Sequence, residues 1–263
     1  MKIVTWNINS VRLRAPLVVA LLNEWQPDVL CLQETKTVDE TFPTDVFVEI
    51  GYKHQYTAGM KSYNGQAILS KIPFYNPRTY DRCGKSDCRH ISVTLEGSDI
   101  EVHNLYVPAG GDEPNIESNE KYKHKLDFVD ELTTWFKDTY STTDKLVAVG
   151  DFNIAPYEHD VWSHKQLLKV ISHTPPETEG LERMRASLNW TDVGRHFTPM
   201  EEKLYTWWSY RNKDYKKSNR GRRLDHVWVT PPLKDSLKSY DMMQKMRDVE
   251  KPSDHIPVMI ELR

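Results

Sequence analysis

Eight short strand-like runs recur along the chain, and they restrict its fold more than any other feature. They are KIVTWNI (2–8), DVLCLQE (28–34), QAILS (66–70), HISVTL (90–95), IEVHNLYV (100–107), KLVAVGDF (145–152), LDHVWV (224–229) and PVMIEL (257–262). Between some of them lie two stretches with apolar residues near helical spacing. One is 14–25, through Leu17, Val18, Leu21, Leu22 and Trp25; the other is 119–137, through Leu126, Val129, Leu132, Trp135 and Phe136. Many strands with few helices favour two packed sheets flanked by helices over a simple alternating series. The chain has 263 residues and contains no repeat and no Gly/Ser-rich linker, so a single domain spanning 1–263 is expected.

The same sequence excludes several classes. Its amino-terminal stretch MKIVTWNINSVRL lacks the apolar core of a signal peptide, and no run reaches the roughly 18 apolar residues of a membrane span. A cytoplasmic protein without a membrane partner is therefore expected. Cys31, Cys83 and Cys88 are odd in number and lack metal-ligand spacing, which reads as reduced thiols, with Cys31 in the core. A net charge of −3 argues against an indiscriminate polyanion binder. The charge is uneven, however: residues 203–223 hold eight Lys/Arg (203, 211, 213, 216, 217, 220, 222 and 223) against the single Asp214. Interleaved with Trp207, Trp208, Tyr210 and Tyr215, they suit phosphates together with sugars or bases, or equally a solvated loop over an aromatic mini-core. Residues 156–177 are rich in His and Pro; His159, His164 and His173 match no metal spacing, so a surface loop is expected there.

Polar residues recur at the carboxyl ends of the expected strands: Asn7, Glu34, Tyr106, Asp151 and Asn153. Strand ends on one rim converge in space, and Asp225, Asp254 and His255 complete a candidate site. Carboxylate and amide oxygens without thiolate suit a hard cation, Mg²⁺ or Mn²⁺, which takes phosphate oxygens as further ligands. Phosphodiester cleavage follows as the chemistry. Taken singly, each residue has a structural reading as a cap or turn former. An Asp225 carboxylate inside an apolar run would be costly unpaired, and His255 is a suitable partner.

The blocks WNINSVR (6–12), PDVLCLQETK (27–36), SYNGQAILSK (62–71), LYVP (105–108), GDFNIAP (150–156), YTWWSYR (205–211), RLDHVWV (223–229) and EKPSDHIPV (250–258) together resemble, in order, the exonuclease III family of DNA-repair nucleases. That family lies within the endonuclease/exonuclease/phosphatase superfamily. The resemblance implies a four-layered α/β sandwich and Mg²⁺-dependent cleavage of the DNA backbone. Implied activities are incision at abasic sites, 3′→5′ exonuclease action and removal of 3′ blocking groups on abasic, nicked, gapped or blocked duplexes, by a monomer. It implies that Glu34 holds the metal with Asn7 in support. Asp151, beside Asn153, orients or deprotonates water, and Tyr106 approaches the phosphate or the leaving oxygen. Asp225 orients His255 toward the phosphate, and Asp254 belongs to the metal shell or just outside it; Asn153 and His255 border the same shell. Duplex contacts are implied for Tyr63, Asn64, Arg89 and Arg211, with Trp207 and Leu224 as apolar walls. Two departures stand out: Arg222 follows Gly221 where a bulky apolar residue is usual, and is expected to pair with a backbone phosphate and favour 3′ ends or gaps over an abasic duplex, and Ala109 replaces the usual amide after YVP. Rival readings are another phosphoesterase of the superfamily, phosphatase-like, or an inert DNA-binding module.

Overall fold

The computed structural model describes residues 1–212 and 214–263; Lys213 of the basic segment lies outside the described residues. Its strands are β1 Lys2–Asn7, β2 Val29–Gln33, β3 His54–Ala58, β4 Gln66–Ser70, β5 Phe74–Thr79, β6 His90–Leu95, β7 Glu101–Tyr106, β8 Leu146–Asp151, β9 Thr191–Asp192, β10 Asp225–Val229, β11 Leu237–Met242 and β12 Val258–Leu262. They form two sheets of six strands, ordered β11-β12-β1-β2-β4-β3 and β5-β6-β7-β8-β10-β9. Both are mixed: β1 runs parallel to β2 and β7 parallel to β8, while β12 and β10 pair antiparallel with β1 and β8.

Central strands here read as apolar runs because both of their faces are covered. Ile3, Val29, Cys31 and Ile68 of the first sheet meet Val93, Val102, Val147, Val149 and Val227 of the second. On the outer face of the first sheet, Val4, Trp6, Leu30 and Leu32 pack with Val18, Leu21 and Leu22 of helix α1, Val11–Trp25. A shorter helix, α2, spans Thr44–Glu49. Outside the second sheet, Leu105, Ala148 and Trp228 pack under α3, Glu120–Thr139. Two further helices follow, α4 at His164–Leu167 and α5 at Pro175–Ser187, the latter joining the same cluster through Leu181 and Met184. Helix, sheet, sheet, helix gives four layers.

Local chemistry sets the helix ends. The Asn119 side chain accepts from the Lys121 and Tyr122 amides at the start of α3. In α5, Thr174 and Glu177 form a reciprocal capping box, and Pro175 occupies the first turn, where a missing N–H does no harm. Helix α1 starts at Val11 rather than 14, and its backbone breaks from helical geometry at Arg14, two residues before Pro16.

Residues 156–177 are not the surface loop the sequence suggests. They contain a 3₁₀ turn at Glu158–Asp160, all of α4 and the start of α5, and they bury Asp160, Leu167, Ser172 and His173. Arg223 draws the segment inward by donating to both oxygens of Asp160 at 2.9 and 2.8 Å and to both of Asp192 at 2.8 Å. Cys31 is buried in the core, and all three cysteines are free thiols.

Three histidines, His90, His103 and His226, are fully enclosed in the second sheet's layer. Burial drives His90 well below the ordinary imidazole range, His103 down to about 3 and His226 down to about 4. Their folded values lie below the unfolded value of about 6.5, so their neutral forms favour the fold fully above that pH and progressively less as pH falls. Each should lower stability by up to about 1.4 kcal/mol per pH unit between about 6.5 and its folded value. Urea midpoints measured from pH 7 to 4 should therefore decline, and His103→Gln should flatten the decline; an unchanged slope would rule out this origin.

Candidate active site

The parallel pairing of β1 with β2 and of β7 with β8 directs four carboxyl ends to one rim. There stand Asn7, Glu34 just beyond β2, Tyr106 and Asp151. Strand β10 runs the other way, so its first residue, Asp225, lies opposite Asp151 in register. The turn before β12 is fixed to the same rim: Ser253 Oγ donates to the Asn7 carbonyl at 2.6 Å, and Trp6 Nε1 donates to the His255 carbonyl at 3.0 Å.

Hydrogen bonds join these residues into two groups, one around Asn7 and one around Asp225, which meet across a single charge contact between His255 and Asp151. Asn7 Nδ2 donates to Glu34 Oε1 at 2.8 Å and to Asp151 Oδ2 at 2.9 Å. Tyr106 donates its hydroxyl to the same Glu34 oxygen at 2.8 Å. His255 Nε2 faces Asp151 Oδ2 at 3.6 Å, and its Nδ1 bonds Asp225 Oδ2 at 2.8 Å. Thr206 Oγ1 donates to that Asp225 oxygen at 2.6 Å while accepting the Leu224 and Asp225 amides, which fixes the carboxylate. Asn153, at φ 52°, donates Nδ2 to Asp151 Oδ2 at 3.2 Å and to the Val107 carbonyl at 2.9 Å.

Burial and charge divide the roles. For His255, burial opposes protonation, but the Asp225 and Asp151 carboxylates outweigh it and lift the imidazole to about 10. It is therefore an imidazolium at neutral pH. Burial raises Asp151 to about 7, while the His255 charge pulls it back. Glu34 is also penalised by burial, yet Lys36, Asn7 and Tyr106 hold it below the usual carboxylate range. Tyr106 is pushed up by burial and by Glu34 and Asp151, so it remains a donor.

Two carboxylate groupings can be considered for a cation. Ligand atoms of Asp151, Asp225 and His255 lie within 4.8 Å of one another. An imidazolium already bonded to Asp225 supplies that corner's positive charge, so the Glu34 side fits a metal better. There Lys36 Nζ sits 2.8 Å from Glu34 Oε2, an ammonium on the oxygen a cation would use, and it also donates to Asn9 Oδ1 at 2.7 Å. An all-oxygen set of Glu34 and Asp151, held by Asn7, matches the chemistry of a hard divalent ion. Asn7 offers its nitrogen to both carboxylates, which makes it a bridge between them. Asp254 accepts from Asn9 Nδ2 at 3.1 Å and from Trp207 Nε1 at 2.9 Å, at the edge of this cluster.

The residues expected to face a duplex are spread around this rim. Tyr63 and Arg211 are exposed. Arg89 lies over the Tyr106 ring and pairs with Asp87 at 2.6 Å. Asn64, by contrast, is buried and gives its amide nitrogen to the Asp87 carbonyl at 2.9 Å, so it shapes its loop. Leu224 is likewise buried, backing the half-buried Trp207. Arg222 turns inward: its guanidinium lies over Trp207 and donates to the Ile171 carbonyl at 2.9 Å and to Ser172 Oγ at 2.8 Å. An open groove of about 720 Å³ beside Glu34 and Tyr106 is lined by Lys36, Lys85, Arg89 and Lys121. Of the loop histidines, His164 Nδ1 bonds His173 Nε2 at 2.7 Å, and His173 Nδ1 bonds the Ala155 carbonyl at 2.6 Å.

Residues 4–255 match the Endonuclease/Exonuclease/phosphatase family. The chain belongs to that family. The curated relatives include exodeoxyribonucleases and an apurinic or apyrimidinic site endonuclease. Exodeoxyribonuclease III of Haemophilus influenzae is 29% identical over 276 residues, covering 100% of both chains. An AP endonuclease from Archaeoglobus fulgidus is 34% identical and superposes with a TM-score of 0.92, over 100% of this chain and 99% of its own. A 3′ phosphatase, NExo, from Neisseria, solved with a product DNA hairpin, is 33% identical with a TM-score of 0.91 and the same coverage. Lys36, Asn9 and Thr206 belong to this family member's site although sequence reasoning passed over them. Lys36 and Asn9 sat inside recognised blocks, but only contacts reveal that they hold Glu34 and Asp254.

Proposed function

We propose that this protein is a divalent-cation-dependent phosphodiesterase of damaged duplex DNA, working as an abasic-site endonuclease, a 3′→5′ exonuclease, or both, and as a remover of 3′ blocking groups. The row of Glu34, Asn7, Asp151, His255 and Asp225 carries this reading, because Asp151 and His255, facing each other at 3.6 Å, offer a proton acceptor and a cationic donor on either side of one position. Glu34, Asp151 and the bridging Asn7 would hold Mg²⁺, or Mn²⁺, with Asp254 outside them. When bound, the ion supplies charge stabilisation for the phosphate oxygens. Asp151 orients a water and takes its proton as the water oxygen attacks phosphorus. The bond to the 3′ oxygen breaks, and its electron pair leaves with that oxygen. His255 donates to a non-bridging oxygen, joined by Asn153, while Asp225 keeps the imidazole charged and aimed. Tyr106 holds Glu34 and stands beside the phosphate.

Duplex binding in this reading comes from Tyr63, Arg89, Arg211 and the exposed Lys203, Lys216, Lys217 and Arg220, contacts that position without reading sequence. Arg222 occupies the wall that Trp207 and Leu224 build, with Asn64 and Ala109 shaping the opposite side. A wall filled by a guanidinium favours 3′ ends and gaps over an extruded abasic sugar. The whole chain would act as one domain, as a monomer, in the cytoplasm; no helix among the described residues is long and apolar enough to cross a membrane.

The test is a panel of end-labelled duplexes, abasic, nicked, gapped and 3′-phosphate, incubated with Mg²⁺, Mn²⁺ or EDTA. Cleavage should require the cation. Arg222→Trp should raise abasic incision relative to 3′-end processing by about tenfold, the scale of one reshaped apolar contact. No cleavage of any duplex would sink the reading, and an unchanged substrate ratio would dispose of the role given to Arg222.

A further inference from the structure

Beneath the active site lies a buried ion pair that none of the chemistry above uses. Lys125, on α3, and Glu177, on α5, are both 0% exposed, with Nζ 2.5 Å from Oε1. The ammonium also donates to the Asn153 carbonyl at 2.7 Å and to the Ala109 carbonyl at 3.3 Å, so all three of its N–H groups are placed. Those carbonyls belong to the loops that follow β8 and β7, the strands ending in Asp151 and Tyr106. Glu177 in turn accepts the Ser172 amide on both oxygens at 2.9 Å and the Thr174 amide at 3.0 Å, and Ser172 is the residue that receives Arg222.

The surrounding backbone is shaped around this contact. Asn153 sits in the left-handed region, at φ 52°, which asparagine enters more readily than other non-glycine residues. At Gly110, with φ 92°, a side chain would bring its Cβ to 2.9 Å from Lys125 Cδ, so the loop closes over the lysine only without one. A buried ion pair generally adds little stability over apolar packing of the same volume. Its use here is geometric, since one ammonium ties two catalytic loops to the helical layer.

We propose that Lys125 and Glu177 are a positioning pair that clamps the loops after β7 and β8, so that Asn153 and Tyr106 meet the substrate phosphate in register. This rests on the function proposed above. The test compares the parent with Lys125→Met/Glu177→Gln, which removes both charges and leaves neither buried alone; Lys125→Gln/Glu177→Gln replaces it if the first chain does not fold. By hydrogen exchange, the Asn153 and Ala155 amides should lose protection while Val147 and Val149 in β8 keep theirs. On cleavable duplexes kcat should fall by about a hundredfold with KM changed less than about threefold, the scale of a misplaced catalytic group. Adding Asn153→Ala to the double variant should cost less than about threefold more, because both changes remove the same placement. Unchanged exchange at Asn153, or losses that multiply independently, would overturn the proposal. A parent inert on every duplex would instead sink the function, and the exchange measurement would still decide the clamp.

Discussion

Asp151→Asn should lower turnover by roughly three to four orders of magnitude while leaving duplex binding nearly intact. Asp151 Oδ2 accepts from Asn7 and Asn153 and faces His255. An amide keeps that shape but cannot take a proton from water, and in either orientation its nitrogen would meet a donor, the Asn7 and Asn153 side chains at one position or the Asn153 backbone N–H at the other. Single-turnover cleavage of an end-labelled duplex, with fluorescence anisotropy for binding, separates the two effects; a variant retaining a tenth of the parental rate would deny Asp151 the role of base. The same substitution has a signature in stability. Burial places the folded-state carboxyl at about 7, above the unfolded value of about 3.9. Its stabilising contribution is thus complete below about pH 4 and lost as pH rises toward 7. The Asn variant cannot lose it, so in EDTA its urea midpoint should gain on the parent's across that window.

Asp225→Asn should reduce kcat by about a hundredfold or more with KM changed only a few-fold. Asp225 touches no substrate in this reading; it acts through His255, and the pH profile should reveal that. Burial alone would discharge the imidazole, and it is the Asp225 carboxylate at 2.8 Å, with Asp151 beyond, that lifts it to about 10. Because the folded value exceeds the unfolded one of about 6.5, the ion pair's contribution to stability is full below that pH and disappears as pH rises through 10. In the amide variant the alkaline limb of kcat should move from near 10 toward neutrality. An alkaline limb that stays near 10 would remove Asp225 from the mechanism.

The four strands that sequence reading misses, β3, β5, β9 and β11, are the four edges of the two sheets. That coincidence has a physical cause. An edge strand has a neighbour on one side only and is less deeply covered, so it carries no continuous apolar run. Strand β5, FYNPRT, is mostly exposed, contains Pro77 and pairs with β6 through a register shift. Strand β9 has only two residues, too few to show any period. Central strands such as β8, buried along its whole length, announce themselves. The segment 156–177 misleads for a related reason: its polar residues look solvated, yet His173 is buried on the Ala155 carbonyl and Asp160 is buried against Arg223, 63 positions away.

Local patterns were enough to locate the central strands, the two long helices and the residue types at the strand ends, because apolar periodicity and strand termini are local properties. Tertiary structure decided how those ends are joined. Asn7 bridges two carboxylates through a single nitrogen, and Tyr106 turns to Glu34. It also decided that Arg222 points inward and that Lys125 is sealed beneath the catalytic loops. Such assignments depend on distances between residues tens to hundreds of positions apart, and on the dielectric that burial creates around them, neither of which is written in any local stretch of sequence.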